Sequence, residues 1–312
     1  MDKETLSQQI KAEALRLGFS ACGIARAHFV GEDKTYLEQW LANNYEAGMG
    51  YMNNHLDKRC DPRLLVEGTK SVISVALNYY PSRRLNNDQL QFAYYAYGQD
   101  YHEVMKVKLA SLFNYINEQL HPVSGRAFCD TAPILDRYWA QQAGLGWIGK
   151  NTQLIIPHAG SYFFLGEILL DAELEYDSPM KSKCGNCRQC LDACPVKALE
   201  KPFVLNSNRC ISYLTIENKG GIEPELASKM GNHLYGCDDC QKCCPWNRFA
   251  TPQQTPELEP SEAFLSMEKQ DLASLTIEQY RTLFKGSAVK RAKFDGLMRN
   301  LKAILPELDV TD

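Results

Sequence analysis

The chain has 312 residues, 45% of them apolar and 23% charged, with a formal net charge of -4. Such a length exceeds the roughly 100–200 residues usual for one domain, so two domains and a sizeable core are expected, and the near balance of charge excludes a molecule that attracts polyanions through its overall field. The opening Met1-Asp-Lys-Glu-Thr-Leu-Ser-Gln-Gln-Ile10 has no secretory pattern, and no stretch approaches the ~18 uninterrupted apolar residues of a membrane span, so a cytoplasmic protein without membrane contact is expected.

Leu6, Ile10 and Ala14 recur every four residues ahead of Gly18, which predicts a first helix over 2–17. A short strand over 19–25, a helix over 34–44 and a buried, β-branched strand Ser71-Val-Ile-Ser-Val-Ala-Leu77 follow. Met105, Leu109, Leu112 and Ile116 share one face of a helix over 101–120. Arg126-Ala-Phe-Cys-Asp130 reads as a brief strand ending in an acid, and Pro133 suits the first turn of a helix reaching Ala143. Strands over 151–156 and 162–170 complete an α/β (α+β) domain over 1–175, whose ligand crevice is expected near strand ends. Polar residues 171–183, with Pro179, form the linker to a cysteine-rich domain over 176–250. An extended Thr251-Pro-Gln-Gln-Thr-Pro256 then leads into a helical segment, the last of three units, over 251–312.

Nine of the twelve cysteines fall between Cys184 and Pro245. The run Cys184-x2-Cys187-x2-Cys190-x3-Cys194-Pro195 has the spacing of cubane iron-sulfur ligation, in which the fourth cysteine serves the neighbouring cluster. Cys210 and Cys237-Asp-Asp-Cys240-Gln-Lys-Cys243-Cys244-Pro245 complete the set. Disulfides are unsuited to a reducing compartment, and zinc takes one tetrahedron of four ligands, so two 4Fe-4S clusters are the better fit. They need eight thiolates, one fewer than are present. The exchange rule groups Cys184, Cys187 and Cys190 with Cys244, and Cys194 with Cys237 and Cys240; spacing leaves open whether Cys210 or Cys243 is the last ligand.

Gly144-Leu-Gly-Trp-Ile-Gly149-Lys150-Asn151 matches both a dinucleotide fingerprint and a near P-loop. A helix precedes it and a strand follows, the reverse of a phosphate cradle, so it reads as a turn where backbone approaches backbone or ligand. Asp130 and Asp136 flank Thr131-Ala-Pro-Ile-Leu135, each open to a helix-capping or an acid role. The six histidines form no metal-binding pair, and Cys22, Cys60 and Cys129 read as small core residues. From Arg281 to Lys302 seven basic residues face one acid, Asp295, a stripe suited to a solvated face or to phosphate.

Together these motifs resemble the epoxyqueuosine reductases, cobalamin-dependent iron-sulfur enzymes acting on tRNA. The likeness is carried by Lys58-Arg-Cys-Asp-Pro-Arg63, Asp130-Thr, Gly146-Trp-Ile-Gly-Lys-Asn151, the cysteine region, Ser212-Tyr-Leu-Thr-Ile-Glu217, Gly286-Ser-Ala-Val-Lys-Arg291 and Arg299-Asn300. The resemblance implies a cobalamin-binding amino-terminal domain, a ferredoxin-like two-cluster domain and a short helical carboxyl-terminal segment, without the helical-repeat domain of longer members. It implies clusters on Cys184, Cys187, Cys190, Cys244 and on Cys194, Cys210, Cys237, Cys240, with Cys243 spare. It makes Asp130 the proton donor, for which a raised pKa beside an apolar corrin face is expected. It places the corrinoid, base-off since no D-x-H-x2-G motif is present, against Asp130, Trp147, Lys150, Asn151, Leu154, Ile155, Ile156, Ser212, Leu214, Asp238 and Asp239. Lys290, Arg291, Lys293 and Arg299 are the expected tRNA contacts. Electrons are expected to enter one cluster from an external low-potential donor and pass through the other to cobalt, in a monomeric enzyme reducing epoxyqueuosine to queuosine at the wobble position. A corrinoid reductive dehalogenase and a two-cluster electron carrier are the competing readings; the former usually carries a twin-arginine leader, which does not appear here.

Overall fold

Residues 71–77 are apolar at nearly every position because the strand they form is covered on both faces. In the computed structural model, which describes residues 2–120 and 122–307, strand β2 (Ser71–Asn78) is buried along almost its whole length. It lies between β1 (Ala21–Arg26) and β4 (Phe163–Leu170), with β3 (Gly125–Phe128) on the far edge, in the order β1-β2-β4-β3. All three pairings are antiparallel. The mixed α+β expectation therefore holds, whereas the crevice rule of parallel sheets does not apply.

Alternation along β2 divides the interior. Ile73, Val75 and Leu77 join Leu6 and Ile10 of helix α1 (Lys3–Arg16) and Met105, Leu109, Leu112 and Ile116 of the helix Tyr101–Leu120. Val72 and Ala76 face Leu37 and Leu41 of the helix Gly31–Ala42 and Trp139, Ala140 and Ala143 beside the helix Asp136–Gln142. Gly23 is required on this second face, since a Cβ there would meet the Ala143 carbonyl oxygen at 2.0 Å. Predicted and observed helices agree within a few residues, but the expected helix from Pro133 begins only at Asp136, because residues 129–135 are used as a loop. The expected strand over 151–156 shrinks to Leu154–Ile155, hairpinned to Trp147–Ile148.

The carboxyl-terminal helices are continuous with the core. Leu258, Phe264, Leu272, Tyr280, Phe284, Val289, Leu297 and Leu301 belong to the same apolar cluster as Ile10 and Ile73. A parallel pairing of His233–Tyr235 with Gln91–Phe92 ties the cysteine region to the amino-terminal part. Asn300 is fully buried, and its amide donates to the carbonyls of Thr215 (2.8 Å) and Leu234 (3.0 Å). Asn300→Leu strands both carbonyls, at about 1–3 kcal/mol each. Differential scanning calorimetry of the loaded protein is expected to show a melting point lower by roughly 4–8 °C.

Candidate functional site

All twelve cysteines are free thiols, and those of the cysteine region form two groups in space. Cys184, Cys187, Cys190 and Cys244 lie within electrostatic reach of one another and line a cavity of about 160 Å3 with Lys150, Asn151, Ile155, Lys183 and Trp246. Cys194, Cys210, Cys237 and Cys240 form the other group. Cys243 stands beside Cys190 and Cys244. Cys210, and not Cys243, therefore lies with the second group.

Burial pushes the Cys190 thiol up to about 11 and that of Cys240 well above the ordinary thiol range. Four thiolates packed so closely need a positive partner, which iron supplies. Each group fits one 4Fe-4S cluster. Cys187 is exposed and Cys194 buried, so the first site is nearer solvent.

Asp130 lies two residues beyond β3, in a turn closed by the Thr131 amide donating to the Cys129 carbonyl at 2.6 Å. Its φ is 58°, in the left-handed region. A non-glycine residue held there is costly by about 1–3 kcal/mol and is common where function fixes a side chain. Two groups from the start of the long helix meet its carboxylate: the Tyr101 hydroxyl donates to Oδ2 at 2.6 Å, and His102 Nε2 lies 3.3 Å from the same oxygen. The other ring nitrogen, Nδ1, faces Asp100 Oδ1 at 2.6 Å.

Between two carboxylates the imidazole holds its proton, with a pKa raised to about 9, first by Asp100 and then by Asp130. Asp130 moves the opposite way from expectation. Its carboxyl is held below the usual range, chiefly by the His102 hydrogen bond, with desolvation opposing and the Tyr101 hydrogen bond adding to the effect. The Asp100-Tyr101-His102 run has no metal-binding histidine spacing, so the sequence pattern alone does not mark it as a site. The available signal was an acid two residues before a histidine at the mouth of a helix.

The glycine turn has a structural task. A Cβ on Gly146 would meet the Ile155 carbonyl oxygen at 2.1 Å, so the residue is needed for backbone approach. Lys150 Nζ donates to the carbonyls of Gly185 (2.6 Å) and Cys187 (2.8 Å), and Asn151 Nδ2 to that of Cys240 (3.0 Å). The motif docks the amino-terminal part onto the cysteine region.

Of the side chains expected at the corrinoid, Trp147, Asn151, Leu154, Ile155, Ile156, Leu214 and Asp238 are all at least nine-tenths covered by protein. Trp147 packs edge-on against Trp246 at 4.7 Å, Asp238 accepts the Tyr94 amide at 2.7 Å, and the Asp239 carboxylate meets His233 at 3.0 Å. Leu154 and Ile156 pack in the apolar cluster around Trp139, while Asn151 and Ile155 line the cavity of the first cysteine group. Asp130 is exposed and Ser212 partly so. Uncovered aromatic surface lies instead at Phe29 (50%), Tyr36 (42%), Tyr51 (46%) and Phe203 (38%). The Tyr36 hydroxyl donates to the Phe203 carbonyl, joining the amino-terminal part to the cysteine region. Tyr51 is within electrostatic reach of Asp130, Glu217 and Arg291.

The basic stripe divides by what each residue holds. Arg291 makes a two-pronged pair with Glu217, at 2.7 and 2.9 Å. The Arg299 guanidinium donates to the carbonyls of Leu214, Asn218 and Gly220. Both are tied to the helix Ile211–Ile216 and the turn after it. Lys290 and Lys293, with Arg281, instead line an open groove whose other walls include Tyr280 and Phe294.

Residues 59–131 match the family model described as "Epoxyqueuosine reductase QueG, DUF1730", and residues 183–247 that described as "4Fe-4S double cluster binding domain". The chain is 48% identical to the epoxyqueuosine reductase of Cellulophaga algicola over 299 residues, 96% of this chain and 98% of that one. It is similar to a crystal structure of epoxyqueuosine reductase with an epoxyqueuosine-modified tRNA-Tyr stem loop, with a TM-score of 0.87 at 30% identity over 98% of this chain and 82% of that one. The Bacillus subtilis epoxyqueuosine reductase whose catalytic loop is swung out of the active site gives a TM-score of 0.90 at 30% identity over the same shares.

Proposed function

The chain belongs to the epoxyqueuosine reductase family, and from that premise we propose that it removes the epoxide oxygen of epoxyqueuosine in tRNA, leaving queuosine. The reaction takes two electrons and two protons, breaks two carbon-oxygen bonds, forms a carbon-carbon double bond and releases water. The single observation that carries this reading is the Asp130 carboxylate, held by Tyr101 and by His102 with Asp100 behind it, in a chain that also carries eight cysteines in two groups of four.

Iron-sulfur clusters held by the two cysteine groups would supply electrons one at a time. A base-off corrinoid would be held against the uncovered rings of Tyr51, which is within electrostatic reach of Asp130, and of Tyr36 and Phe203, with Ser212 as a polar contact, and would supply reduction at carbon. The chain itself handles protons. His102 and Tyr101 both hold Oδ2 of Asp130, so Oδ1 is the oxygen left to meet the epoxide. Asp130 passes a proton to the leaving oxygen and His102, charged below about pH 9, reloads it. Asp100 keeps the imidazole oriented and charged.

A cytoplasmic monomer served by an external low-potential donor completes the proposal; among the described residues no helix is long and apolar enough to cross a membrane. The test is anaerobic reconstitution of clusters and cobalamin, addition of a low-potential reductant, and mass spectrometry of epoxyqueuosine-bearing tRNA for loss of one oxygen. An unchanged tRNA with intact cofactors overturns the substrate and brings back the dehalogenase reading.

For tRNA phosphates we propose the groove of Lys290, Lys293 and Arg281, with Arg291 and Arg299 supporting it through the contacts they already make. Lys290→Glu with Lys293→Glu is expected to weaken tRNA binding at low salt and flatten the dependence of log Kd on log salt by about 2. Filter binding across a salt series checks it.

A further inference from the structure

Glu167 is the one charged residue of β4, and it is fully buried. Neither of its carboxyl oxygens meets an N–H or O–H donor among the described residues. Its cross-strand neighbours are Ser74 on β2 and Phe128 on β3, and the helix Asp136–Gln142 packs over this face of the sheet. Asp136 brings its carboxyl within hydrogen-bonding reach of Glu167, and its Oδ1 has no donor either. Two buried carboxylates repel, so this contact is favourable when one of them holds a proton. Full burial places the proton on Glu167, whose pKa is driven well above the carboxylate range by burial first and by Asp136 second. Glu167 therefore donates and Asp136 accepts.

That bond joins the two ends of one loop. Residues 129–135 leave the sheet at Phe128, directly across from Glu167, and end at Asp136. Asp130, in its left-handed conformation, lies between. A buried carboxyl without other donors is a net cost to stability that an apolar residue of similar size removes. Stability alone gives no reason for it.

We propose that the Glu167–Asp136 hydrogen bond is a clamp that fixes both ends of the Asp130 loop, making Glu167 a positioning residue for the proton donor. The proposal rests on the reading of Asp130 as the acid. The test uses the full-length protein loaded with clusters and cobalamin, and compares Glu167→Gln, which can still donate to Asp136, with Glu167→Met, which fills the space without a donor.

Glu167→Gln is expected to keep the wild-type kcat within about threefold and to leave amide hydrogen exchange over 129–135 unchanged. Glu167→Met is expected to melt no lower than wild type and to lose kcat on the order of tenfold to a hundredfold at constant KM for tRNA, with amides of 129–135 exchanging about tenfold faster. Wild-type exchange and kcat in Glu167→Met, or equal impairment in both variants, overturns the clamp. Should Glu167→Met not fold, Asp136→Ala removes the same bond from the loop side and carries the same expectation. The exchange measurement needs no substrate. A failure of the epoxide reading shows instead as wild-type protein that leaves the tRNA unchanged.

Discussion

Asp130→Ala is expected to lower kcat for oxygen loss by roughly 10²- to 10⁴-fold, the usual worth of a positioned general acid, with iron content, cobalamin content and tRNA affinity unchanged. The residue is exposed and sits in a turn, so its removal disturbs no packing. The variant adds a little to the backbone strain of the left-handed turn, since alanine adopts that conformation less readily than aspartate. Single-turnover assays with prereduced enzyme separate proton delivery from electron supply. Full activity in this variant removes Asp130 from the mechanism.

The array behind Asp130 gives the same prediction a pH signature. His102 has a pKa raised to about 9, so its charge is complete below the ordinary histidine range and is lost as pH rises through about 9. The rate is therefore expected to fall on the alkaline side near pH 9. Asp100→Asn removes the largest cause of that shift and should move the limb toward neutrality, while leaving cluster absorbance unchanged. The linked contribution of His102 to stability has the same sign: present at low pH, lost above about 9.

Much of the architecture was legible because it follows local patterns. The four-residue recurrence of Leu6, Ile10 and Ala14 and the β-branched run at 71–77 gave helix and strand within a few residues. Strand direction was not legible: the sequence alternates helix and strand as in parallel folds, yet the sheet is antiparallel throughout. Cysteine spacing carried the ligand pattern, since thiolate geometry is set by a few residues of chain. A count of basic residues does not reveal that Arg291 is paired with Glu217 and that Arg299 donates to the carbonyls of Leu214, Asn218 and Gly220. The pKa of Asp130 depends on Tyr101 and His102, some thirty positions away, and only tertiary structure brings those groups together. Glu167 stood unnoticed inside an apolar strand for the same reason.

Cys210→Ala and Cys243→Ala are expected to behave oppositely despite changing the same atom in the same region. Cys210 lies with Cys194, Cys237 and Cys240. Its loss leaves three thiolates for four irons, so iron should fall from about eight to about four per chain, and turnover should vanish with the missing cluster. Cys243 lies on the other side, near Cys190 and Cys244, in a group that already has four members. Its alanine variant should bind both clusters and retain activity within a few fold. Iron and sulfide analysis with electron paramagnetic resonance of the dithionite-reduced proteins decides the matter. Loss of a cluster in Cys243→Ala, with both retained in Cys210→Ala, would exchange the two roles. The regular C-x2-C-x2-C spacing through Cys243 favours that outcome on chain geometry alone, whereas the folded positions favour Cys210. The pair of variants thus sets local spacing against tertiary placement.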